Sequence, residues 1–265
     1  MSLTNIEEIA TFIVADGKGI LAADESNPTC GKRFDSIGVD STEENRRDYR
    51  ELLFRSKGMK GNIGGVILFD ETIRQKAKDG TLLRDIISDQ GALPGIKVDK
   101  GLQPIEDCPN ETVTVGLDGL DERLKEYSSM GAKFTKWRAV INIGDGIPTD
   151  KCIDANMQAL ADYAKCAQDN GMVPIVEPEV LMDGEHNIDQ CFEATERSLK
   201  SLFSHLEKAS VNIKGTLLKP NMVTSGKDAT DQASVEEVAK KTLDCLIANV
   251  PAELPGITFL SGGQS

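Results

Sequence analysis

Residues 215–222 read Gly-Thr-Leu-Leu-Lys-Pro-Asn-Met, a short apolar run that ends in Lys219 and is stopped at once by Pro220. Such a run, bounded by glycine and proline, reads as a buried strand of a parallel sheet, because proline cannot donate to the ladder. A lysine at the mouth of that strand is a costly charge. Burial favours its neutral amine, and a neutral amine is a nucleophile for ketones and aldehydes. From this stretch alone, a lysine whose head group reaches water is the simpler reading, so the other strand ends must decide.

Six further runs share its character: GILAAD near residue 20, GGVILF near 65, GIKVD near 96, FTKWRAVINI from Phe134, MVPIVEPEV from Met172 and GITFLSGG from Gly256. Helix signals lie between them. Thr4-x-x-Glu7, Ser41-x-x-Glu44 and Ser234-x-x-Glu237 read as capping boxes, and Asn170-Gly171 closes the segment that carries Met157, Leu160, Ala161 and Ala164. Repeated βα units imply a parallel sheet with helices outside it. A doubly wound sheet would favour Gly-x-Gly-x-x-Gly after the first strand, but that strand runs into Asp24-Glu25-Ser26. A (β/α)8 barrel is therefore expected, as a single domain over residues 1–265, since no Gly/Ser-rich or Pro-rich linker divides the chain. Its site would lie at the C-terminal ends of the strands. There, charged residues recur at a spacing of two: Lys97 with Asp99, Lys136 with Arg138, Glu177 with Glu179, and Lys219 with Leu217 and Asn221. Residues i and i+2 share a face, so with helices covering the outside these side chains converge inward, and Trp137 points out under the helices.

Composition narrows the chemistry. The chain has 30 basic and 43 acidic residues, net −13, which opposes a nucleic-acid surface or an anionic membrane face. No apolar run approaches the roughly 18 residues of a membrane span, and the N-terminus lacks a basic region before its apolar residues. A cytoplasmic location is expected. The six cysteines are scattered without a Cys-x-x-Cys pair, as for reduced thiols, and with only His186 and His205 a histidine-ligated zinc centre is not expected.

ILAADES, ENRRDYRELL, GGVILF, GIKVDKG, GLDGL, KWR, VPIVEPE, GTLLKPNMV and TFLSGGQS, in this order from about residue 6 to the last residue, resemble class I fructose-1,6-bisphosphate aldolase. The resemblance implies a (β/α)8 TIM barrel that reversibly cleaves fructose 1,6-bisphosphate into dihydroxyacetone phosphate and glyceraldehyde 3-phosphate. It implies a lysine Schiff base, no metal or other cofactor, sugar-phosphate ligands and a homo-oligomer. A protonated imine on Lys219 would accept the electrons released by retro-aldol cleavage. Lys136 would keep Lys219 neutral by like-charge repulsion and stabilise the carbinolamine oxyanion. By resemblance Glu177 is the principal acid/base, Asp24 assists proton transfer, and Glu179 supports Glu177.

The substrate needs phosphate sites at both ends. Ser261, Gly262 and Gly263 offer a hydroxyl and backbone amides after the seventh strand, although Ser-Gly-Gly is more often merely a turn. Ser26, Lys97, Arg138, Lys32 and Arg33 resemble the family's ligands for the other phosphate. Thr29 stands where the family carries serine, and Asn27-Pro28 replaces smaller residues. The sequence stops at Ser265, where the family barrel would continue into an eighth βα unit bearing an arginine and a glycine of the first phosphate site. A C-terminally incomplete barrel is thus expected. Two alternatives remain beside the enzyme: a binding or scaffold protein with little turnover, and a Schiff-base aldolase for another sugar phosphate.

Overall fold

The computed structural model of the chain describes residue 3 and residues 5–260. Six strands form one parallel sheet in the order β1 (Gly19–Ala23), β2 (Ile63–Leu68), β3 (Leu93–Lys97), β6 (Phe134–Ile141), β7 (Val173–Val180) and β8 (Leu217–Leu218). The seventh predicted strand departs from expectation. Ile257 makes a single parallel bridge to Leu218, and the Thr258 N–H reaches the Leu218 carbonyl at 2.8 Å. Prolines explain the short ladder: Pro220 ends β8 after two residues, and Pro255 precedes the bridge without an N–H to donate.

The sheet is curled. Ile67 of β2, Phe134 of β6, Val173 and Ile175 of β7 and Leu217 of β8 all join one buried cluster with Ile9, Ala10 and Ile13 of α1 (Ile6–Ile13). A flat sheet could not bring β2 and β8 to one cluster, so α1 plugs the floor of a partly closed barrel. Two glycines make room for the floor's largest side chain. A Cβ on Gly95 would lie 2.3 Å from the Phe134 ring, and one on Gly65 would lie 2.7 Å from it. On the other face, Val66, Ile96, Trp137, Val176 and Leu218 join the main core. Trp137 is fully buried and stacks on Tyr163 of α7 (Asp150–Asp169), as its outward position predicts.

The remaining helices are α2 (Asn27–Asp35), α3 (Glu43–Phe54), α4 (Asp70–Arg74), α5 (Leu83–Asp89), α6 (Leu120–Ser129), α8 (Ile188–Lys208) and α9 (Val235–Asn249). Ser234 caps α9 and Asn170 closes α7, with Gly171 at φ 72°, as the sequence indicates. Two caps shift. Asn5 rather than Thr4 caps α1, accepting from the Glu8 N–H at 2.9 Å; Thr4 lies outside the described residues. Thr42 rather than Ser41 caps α3, and the Ser41 hydroxyl and carbonyl instead accept from Arg46 Nη1 at 3.3 and 2.5 Å.

Sequence patterning missed an antiparallel hairpin, β4 (Leu102–Ile105) with β5 (Cys108–Thr114). Residues 102–105 are mostly exposed and lack the apolar alternation that marks a buried strand. The hairpin packs beside β6: the Thr114 hydroxyl donates to the Arg138 carbonyl at 2.8 Å.

Candidate active site

Period-two alternation divides the barrel interior into two layers. Phe134, Val173, Ile175 and Leu217 make the apolar floor, and two or four residues further along their strands stand Lys136, Arg138, Glu177, Glu179 and Lys219. Parallel register sets the neighbours, Lys97 beside Lys136 and Arg138 beside Glu177. Although Lys219 follows β8, its N–H still bonds the Val176 carbonyl at 2.9 Å, which holds it level with Glu177.

Four side chains meet above the floor. Lys219 Nζ donates to Glu177 Oε1 at 2.5 Å, while Lys136 Nζ lies 3.1 Å from Glu177 Oε2 and 2.7 Å from Asp24 Oδ2. Glu177 and Lys136 are 2% and 4% exposed, whereas Lys219 is half-buried and faces the opening. Burial opposes the Lys136 ammonium, but the Asp24 and Glu177 carboxylates outweigh it and hold its pKa above that of an ordinary lysine. Burial likewise works against the charged Asp24, and Lys136 outweighs it, leaving the carboxyl below its usual pKa. The expected direct repulsion between the lysines is therefore corrected: Glu177 stands between them, one oxygen toward each ammonium.

Other predicted residues divide. Glu179 pairs with Arg138 instead of leaning on Glu177, because register sets Arg138 opposite Glu177, two residues before Glu179 on the same face of β7. Lys97 is held by Asp99 at 2.6 Å, and Lys97, Asp99 and Ser26 line one cavity of about 640 Å3 with Arg74, Lys100 and Tyr127. The Ser26 hydroxyl lies 3.0 Å from that of Thr29, so Thr29 supplies a hydroxyl at this mouth. Lys32 is exposed, and Arg33 is taken up by an ion pair with Glu25. Asn221 leaves the inner face: beyond Pro220 its amide binds the Val180 N–H and the Thr195 hydroxyl of α8. Ser261, Gly262 and Gly263 lie outside the described residues. An apolar cavity of about 780 Å3 between the β7 and β8 loops and α9 is lined by Met182, Met222, Leu243 and Phe259, and by none of the four converging groups.

Sequence reasoning passed over Glu25, Arg46 and Arg50. Arg46, Arg50 and Phe54 are the buried residues of α3, spaced four apart. A helical stripe on which arginines replace apolar residues was the available signal.

A family model described as fructose-bisphosphate aldolase class-I matches residues 5–265. The chain belongs to the class I fructose-bisphosphate aldolase family. A probable fructose-bisphosphate aldolase class 1 of Xanthomonas campestris pv. campestris is 57% identical over 265 residues, covering 100% of this chain and 79% of the relative. The cytosolic fructose-bisphosphate aldolase 4 of Arabidopsis thaliana is 51% identical over 256 residues, 97% of this chain and 65% of the relative. Among solved structures, the Plasmodium falciparum aldolase in complex with TRAP and a small-molecule inhibitor superposes with a TM-score of 0.96. It is 47% identical and covers 98% of this chain and 75% of its own.

Membership makes this chain an aldolase that works through a lysine Schiff base without metal, on a (β/α)8-type fold of which the open, curled sheet is part. Its ligands are sugar phosphates. Nothing in the site favours a non-catalytic scaffold. Among the described residues no helix is long and apolar enough to cross a membrane.

Proposed function

We propose that Lys219 forms the imine in the cleavage of fructose 1,6-bisphosphate to dihydroxyacetone phosphate and glyceraldehyde 3-phosphate. The observation that carries this is the bridging position of Glu177, which touches the half-buried Lys219 and the deeper Lys136. Lys219 must lose a proton to attack the ketone, and Glu177 Oε1 is in place to take it. The amine adds to the carbonyl carbon, the alkoxide develops beside the Lys136 ammonium and takes one proton from the adduct nitrogen, and Glu177 returns the other as water leaves. In the protonated imine the C3–C4 bond breaks. Its electron pair moves toward nitrogen, giving an enamine, while the C4 hydroxyl loses its proton to a carboxylate and becomes the aldehyde. Glu177, ion-paired with Lys136 through Oε2, is the carboxylate placed to take that proton. Asp24, with its oxygen on Lys136, holds the neighbouring hydroxyl.

Glu179 fixes Arg138, and Arg138, Lys97, Ser26 and Thr29 bind one phosphate at the mouth, with Lys32 and Arg33 entering only if they turn inward. Ser261, Gly262 and Gly263 bind the other by resemblance. The chain works as one barrel domain, in the cytoplasm and as a homo-oligomer; light scattering on the purified full chain reads the last point. Borohydride reduction with dihydroxyacetone phosphate, followed by peptide mapping, tests the centre of the reading: an adduct at Lys97 or Lys136 in place of Lys219 would overturn it.

A further inference from the structure

We infer that Arg50 is a positioning residue for Asp24, acting through the backbone on either side of it; this rests on the catalytic role proposed for Asp24. Arg50 is 0% exposed, although it is charged and lies on the inner face of α3. Its Nε donates to the Ala23 carbonyl at 3.2 Å and its Nη2 to the Glu25 carbonyl at 2.8 Å, the two peptide oxygens that flank Asp24. The same Nη2 lies 3.2 Å from Glu25 Oε2, and Arg33 takes the other oxygen of that carboxylate. Asp24 thus meets Lys136 from the segment after β1, with the carbonyls of the residues before and after it both held by Arg50.

Packing alone does not account for this residue. The third nitrogen, Nη1, has no hydrogen-bond partner among the described residues, so an apolar side chain of similar size would avoid an unfavourable burial. What an apolar side chain could not do is hold two carbonyls and a carboxylate at once. Lysine could not do so either, since its ammonium is a single point charge without the planar fork. Misplacing a catalytic group by about 1 Å can cost about a hundredfold in rate.

The test is a double-mutant cycle on kcat in the full chain, with Arg50→Lys, Asp24→Ala and the pair. Stoichiometric borohydride trapping of Lys219 serves as the check that the site is folded. Arg50→Lys is expected to lower kcat about 10- to 100-fold in the native background and less than about threefold in the Asp24→Ala background. Should Arg50→Lys fail to trap at Lys219, Glu25→Gln takes its place in the cycle; it loosens the guanidinium and is expected to lower kcat about three- to tenfold, again only where Asp24 is present. Equal losses in both backgrounds, or a kcat within threefold of the native value, would overturn the role of Arg50 while leaving Asp24 intact. Native kcat in Asp24→Ala alone would instead overturn the reading of Asp24 itself.

Discussion

Glu177 touches Lys219 through Oε1 at 2.5 Å and Lys136 through Oε2 at 3.1 Å, so one buried carboxylate is shared by two lysines. Lys219 is the more exposed of the two lysines, which separates the proposed nucleophile from a buried counter-charge.

Lys219→Met should abolish adduct formation with dihydroxyacetone phosphate and leave the fold intact. Because Lys219 is half-buried and Glu177 keeps Lys136 as a partner, the melting temperature is expected to change by only a few degrees. Borohydride trapping and calorimetry on the same samples read both quantities.

Lys136→Met should be worse for stability than Lys219→Met. It leaves Asp24 without its ion partner and Glu177 with Lys219 alone, and removing one member of a buried ion pair costs about 3–5 kcal/mol. Urea unfolding measures this. Adduct formation should also slow about a hundredfold or more, through loss of the charge beside the carbinolamine oxygen.

Acid should weaken what Asp24 contributes. Its folded-state pKa lies below the ordinary value, so the contribution is complete above about pH 4 and is lost as pH falls through the folded-state value. The stability gap between the native chain and Asp24→Asn should therefore stay level from about pH 5 to 8 and narrow below about pH 4. A gap that widened on acidification would contradict the ion pair with Lys136. Lys136 runs the opposite way: its raised pKa leaves its contribution complete below about pH 10 and lost as pH climbs past that.

Gly95→Ala should destabilise the floor without touching the chemistry. The added methyl carbon would meet the Phe134 ring at 2.3 Å, and overpacking of this kind costs about 1–3 kcal/mol. Thermal unfolding should show the loss, whereas the rate of trapping at Lys219 should stay within about twofold.

Cleavage by the full chain should survive chelation. With EDTA present, turnover is expected to remain within error of the untreated enzyme; a loss restored by zinc would contradict the Schiff-base reading.

The sequence by itself determined the alternation that sends Lys97, Lys136, Glu177 and Lys219 to one face, because period two is a local property of an extended chain. It also determined the end of β8, since Pro220 cannot donate to the ladder. The starts of α1, α3 and α9 were legible to within a residue, but Ser41 lost the cap of α3 to Thr42, and Arg46 holds it instead. Tertiary structure alone decided who meets whom. Glu177 and Lys219 are 42 residues apart, and their contact depends on strand register; Asp24 reaches Lys136 only because the sheet curls β1 and β6 around a common interior. The same holds for Arg50, which on a lone helix would sit badly on the buried stripe. It is accommodated because folding brings the Ala23 and Glu25 carbonyls and the Glu25 carboxylate over it, and those partners lie on a different element, out of reach of any local pattern.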